Sequence, residues 1–72
     1  MKPQDAAVIL YRLDWSDQQM ADAVASSQPV INRIRRGERQ ASFDVGNALI
    51  ALAKKEEAKA RRRGKSNGTN HA

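Results

Sequence analysis

Seventy-two residues with a net charge of +5, no cysteine and one histidine describe a single small domain, near the size at which one hydrophobic core only just suffices. Disulfides and thiolate metal centres are excluded, and His71 stands alone in a polar stretch. With neither a nucleophile–base pair nor clustered carboxylates, no catalytic residue, metal or cofactor is expected, and the chain does not read as an enzyme.

The longest apolar run, Ala6 to Leu10, falls far short of the ~20 residues of a bilayer span. No charged stretch leading into an apolar one marks a secretory signal, so a soluble cytoplasmic protein with no membrane partner is the expectation. The charge is uneven. Residues 1–30 carry two basic and four acidic side chains, whereas residues 31–72 carry eleven basic and four acidic ones. That asymmetry points to a polyanion, with nucleic acid first and acidic lipid second. A basic face that is merely solvated is the plainer alternative.

Taken in order, the elements are all helical. Pro3 suits a first helical turn, where its missing N–H is no loss. Ala6, Ile9, Leu10 and Leu13 then repeat at i, i+3, i+4 and i+7, so a first helix buries one stripe and ends near Asp14. A second helix is predicted over 17–24. Ser16 caps it, Gln19 completes a capping box, and Trp15 with Met20 forms a hydrophobic staple; Met20, Ala21 and Val24 face inward.

Ala25-Ser26 makes a turn, and Ser27 stands where the next helix needs a cap. That third helix is predicted over 28–36, with Ile31 and Ile34 inward and Gly37 as a left-handed stop. Ser42 caps a fourth helix whose stripe is Val45, Ala48, Leu49 and Leu52. Good helix formers continue to about residue 60 without a large apolar side chain. The chain therefore divides into a helical domain, 1–60, and a basic polar tail, 61–72, expected to be disordered. The fold class is all-α: a bundle of about four helices with a basic helical extension.

Two short helices joined by a tight turn, the second basic on its outer face, form the arrangement that reads DNA in the major groove. Pro29, Asn32, Arg33 and Arg36 lie roughly opposite Ile31 and Ile34, and Gln28 sits at the leading end. Gln28 and Asn32 are amides suited to adenine, Arg33 is suited to guanine, and Pro29 to a thymine methyl. Arg36 and Arg39 fit phosphate contacts, which set register without carrying sequence information. Trp15 fits packing better than stacking on bases.

Trp15 to Val24 followed by Ser27 to Gly37 resembles the Cro and phage-repressor helix-turn-helix family. Met20-Ala21, Ser27, Ile31 and Arg36-Gly37 stand where that family has its leucine-alanine pair, serine cap, mid-helix isoleucine and arginine-glycine exit. The resemblance covers about residues 5–53. It implies a small stand-alone repressor of phage or mobile-element origin, Cro-like or anti-CRISPR-associated, that controls its own operon. It also implies a homodimer on a pseudo-palindromic duplex, with half-sites ~34 Å apart.

Several positions depart from the family. Its turn glycine is Ala25 here, where a left-handed backbone would carry strain. The next turn residue is Ser26 rather than apolar. The helix-opening glutamine that touches phosphate is Asp17, an acid expected to repel phosphate, which leaves Ser16 or Gln18 to make that contact, with Ser27 beside them. The acid before the exit is Arg35, which is expected to remove an internal ion pair and add outward charge. No apolar sequence remains for the family's fifth helix.

Phe43, Asn47 and Ile50 face away from the stripe of the fourth helix and are the candidate dimer surface; a helix wedged centrally and packed on both sides is the alternative. A different function also stays open. In an antitoxin-like interaction module with only nonspecific DNA affinity, the basic C-terminal segment would bind a partner protein. RNA binding is disfavoured, since no aromatic-rich sheet or glycine-loop clamp is evident.

Overall fold

The computed structural model describes residues 1–70, with side chains described through Arg62. Among these residues there are four helices and no strand: α1 (Pro3–Arg12), α2 (Asp17–Ala23), α3 (Gln28–Arg35) and α4 (Phe43–Asn70). The expected all-α bundle is what forms, with α1 ending two residues, and α2 and α3 one residue, before their predicted limits.

The start of each element follows from local chemistry. Proline stands in the first turn of both α1 and α3. The capping box of α2 is complete: the Gln19 backbone N–H donates to Ser16 Oγ at 3.1 Å, and the Ser16 N–H donates to Gln19 Oε1 at 2.9 Å. Ser42 Oγ accepts from the Val45 N–H at 3.3 Å, as a cap for α4 should. Ser27 differs. It occupies the N-cap position of α3, yet its hydroxyl makes no capping hydrogen bond.

The first three helices stop in one and the same way. Trp15, Ser26 and Glu38 donate their N–H groups back to the carbonyls of Leu10, Ala21 and Arg33 at 3.0, 2.8 and 2.8 Å. This is the Schellman closure, and it needs a left-handed residue one position earlier. Those residues are Asp14 (φ 71°), Ala25 (φ 56°) and Gly37 (φ 78°). Only the third is a glycine. Ala25 is exposed, so Ala25→Gly removes steric strain without removing packing. The expected gain is ~0.5–1 kcal/mol, a few degrees in Tm. A melting temperature that stays level or falls would show that Ala25 is unstrained.

The core mixes large and small side chains. Leu10, Met20, Ile31, Ile34 and Leu49 are its large fully buried members, joined by Ala6, Ala7, Ala21 and Ala53. Trp15 packs against this cluster, the place a staple residue should take. Small residues let helices approach closely: a Cβ on Gly46 would lie 3.0 Å from Pro3 Cγ, where α4 meets the start of α1.

α4 continues through Asn70, beyond position 61, where composition suggests a tail. Helical backbone needs no apolar stripe to propagate, and residues 54–63 contain neither proline nor a β-branched side chain. His71 and Ala72 lie outside the described residues. No described helix is long and apolar enough to cross a membrane.

Candidate nucleic-acid interface

α2 and α3 are joined by the four residues Val24–Ser27. The left-handed Ala25 turns the chain sharply, and Val24, 8% exposed, fills the space beneath the bend. Ile31 and Ile34, at 0% and 1% exposure, pin one side of α3 to the core. With that side buried, Gln28, Pro29 and Arg33 are exposed, as the helical spacing requires. These are three of the four candidate base readers.

The fourth, Asn32, is placed differently. It is half-buried and its Nδ2 donates to Asp17 Oδ2 at 3.1 Å. Asp17 is the only buried charged residue among those described, at 8% exposure. Its carboxylate also takes a two-pronged contact from Arg35: Nε to Oδ1 at 2.9 Å and Nη2 to Oδ2 at 2.9 Å. The Arg35 guanidinium in turn lies 3.9 Å from the centroid of the Tyr11 ring, a cation–π contact. One cluster therefore ties α1, α2 and α3 together beside the exposed face.

This corrects two expectations. Arg35 does not remove an internal ion pair; it forms one, with Asp17. Nor does Asp17 stand as a bare acid that would repel phosphate, because three donors occupy its oxygens. The Arg35 hydrogen bonds hold the Asp17 carboxyl below the usual carboxylate range, against the upward push of burial; Asn32 and the Arg35 charge add to the lowering. Arg35 is correspondingly raised, first by its hydrogen bonds to Asp17. The wheel of α3 contains the signal that reveals this. Arg35 falls within about 70° of the centre of the Ile31–Ile34 stripe, at about 100° per residue, and a cation so near the core needs a partner.

The phosphate candidates Ser16, Gln18, Ser27, Arg36 and Arg39 are all exposed. Ser16 Oγ is engaged as the α2 cap, and Gln18 Nε2 donates to Asp22 Oδ1 at 2.9 Å. Arg36 Nη2 meets Glu38 Oε2 at 3.0 Å, with both side chains about half exposed. A surface pair of that kind contributes only ~0.2–1 kcal/mol, so a phosphate can displace Glu38 cheaply.

On α4, Phe43 is 82% exposed and Asn47 is exposed, while Ile50 is half-buried and packs against the core. The three are thus not equivalent: Phe43 and Asn47 are free surface, and Ile50 is shared with the interior. Among the described residues, no group of three His, Cys, Asp or Glu side chains comes together to hold a metal ion. The chain matches no family model, no curated protein and no solved structure.

Proposed function

We propose that this protein is a sequence-specific double-stranded DNA-binding repressor that acts as a homodimer on its own operon, in a phage or mobile element. The observation that carries the reading is the α2–turn–α3 unit. Its second helix exposes Gln28, Pro29 and Arg33 on one face while Ile31 and Ile34 anchor the other. Those exposed types suit adenine, thymine methyl and guanine edges in the major groove. The Asp17–Arg35 pair holds the reading helix rigidly against its neighbours, which favours a reader over a merely charged surface.

The test is a gel shift with DNA from immediately upstream of the gene, at physiological salt and with excess nonspecific competitor. A discrete complex that survives competition supports a specific regulator. A complex that the competitor removes counts against it and favours a protein-interaction module.

The dimer part of the proposal rests on Phe43, a large apolar side chain left in solvent beside Asn47. Phe43→Asp touches nothing in the core, so it should convert a dimer to a monomer without unfolding it. Sedimentation of the variant as an unchanged dimer would place the contact elsewhere.

A further inference from the structure

Residues 1–53 contain six cationic and six acidic side chains and are electrically neutral; the whole net charge of +5 lies in residues 54–72. Even the cations of the α2–α3 unit are partly spent internally, Arg35 on Asp17 and Arg36 on Glu38. The net charge that draws the chain toward a polyanion therefore lies beyond Ala53, the last fully buried residue of α4 among those whose side chains are described.

The charges there are sorted by face. At about 100° per residue, Glu56, Glu57 and Ala60 continue the side marked by Leu49 and Ala53, whereas all five cations of residues 54–62 fall on the outward half. Exposure of the charged side chains follows the same division: Lys54, Lys55, Lys59, Arg61 and Arg62 are exposed, and Glu56 and Glu57 are half-buried. Glu56 engages Lys59 at 3.4 Å, which leaves Lys54, Lys55, Arg61 and Arg62 to act outward.

We propose that this outward face of α4 is a second contact surface, one that grips the phosphate backbone of double-stranded DNA without reading its sequence. Affinity and base preference would then reside on different helices. The choice of DNA as the polyanion rests on the function proposed above; the existence of the surface does not. Residues 54–62 span roughly 13 Å of helix, over which a duplex presents one charge per about 1.7 Å. An acidic membrane fits less well, because a helix lying in a bilayer interface needs large apolar side chains opposite its cations. Here that side carries Glu56, Glu57 and Ala60.

The experiment compares the full-length chain with its Lys54→Gln, Lys55→Gln, Arg61→Gln, Arg62→Gln variant, since glutamine preserves helix propensity and circular dichroism reports the helix directly. The probe is a duplex of arbitrary sequence, titrated between about 50 and 200 mM salt. Four lost phosphate contacts should flatten the slope of log K against log salt by about 3–4, so the wild-type advantage shrinks roughly a hundredfold across that range. The pair Gln28→Ala, Arg33→Ala should lose base preference and change the slope by no more than about 1.

An unchanged slope in the glutamine variant overturns the proposal. So does intact duplex binding accompanied by lost binding to phosphatidylserine vesicles, which would make the surface a membrane contact. If the wild type shows no base preference but the slope still falls, the specific-repressor reading fails and this surface stands. If preference is present and the slope is unmoved, the reverse holds.

Discussion

Replacing Asp17 with alanine is expected to destabilise the fold by about 2–3 kcal/mol, a large part of the stability available to a chain of this size. The substitution strands Arg35, whose side chain is only 20% exposed beside its partner at 9%, and leaves the Asn32 amide without its acceptor. Charge-assisted hydrogen bonds in such a setting contribute more than surface pairs do, although the remaining solvent contact of Arg35 keeps the loss below that of a fully buried pair. Combining Asp17→Ala with Arg35→Ala should cost less than the sum of the two by about 1–3 kcal/mol in urea unfolding. Strict additivity would mean the pair contributes nothing.

The same pair sets an acid limit. Because the Asp17 carboxyl is depressed in the folded chain relative to its ordinary value of 3.8, its contribution is complete above that value. It is lost as pH falls through the lower, folded one. Wild-type stability should therefore drop more steeply below about pH 4 than that of Asp17→Ala. Parallel pH profiles would remove the carboxylate from the account.

Arg33→Ala should weaken binding to the preferred duplex by ~1–3 kcal/mol, about 5- to 150-fold, and flatten preference at a single base pair. Among Arg33, Arg35 and Arg36, only Arg33 has no carboxylate in reach among the described residues. Its guanidinium fork is thus free for a guanine edge. Arg33→Lys separates charge from geometry: it keeps the cation but loses the planar fork, so nonspecific binding should persist while the preference disappears. Equal weakening on every sequence would make Arg33 a phosphate contact instead.

The parts of this fold that the sequence makes legible are those governed by local rules. Ser16 and Gln19 lie three residues apart, and the capping box they announce is present. Ile31 and Ile34 share a helix face, and both are buried. Less legible was the Asp17–Arg35 pair, because no spacing rule joins residues eighteen apart on different helices. Considered singly, each charge looked like a defect in the recognition motif; together they neutralise one another. The placement of Asn32 has the same cause: it lies far round the wheel from the buried stripe, and only the Asp17 carboxylate on the neighbouring helix makes it half-buried. Ala7, Gly46 and Ala53 escaped notice as interior residues because apolar periodicity counts bulk, whereas close helix contact selects for its absence.

A neutral body joined to a cationic rod behaves, before any contact is made, as an oriented dipole. Within a Debye length of a polyanion, about 10 Å at 0.1 M salt, the torque on residues 54–62 turns the molecule rod-first. On the proposed contact with DNA, fewer encounters would then arrive facing the wrong way, and the association rate would depend more steeply on ionic strength than the stability of the docked complex alone would suggest.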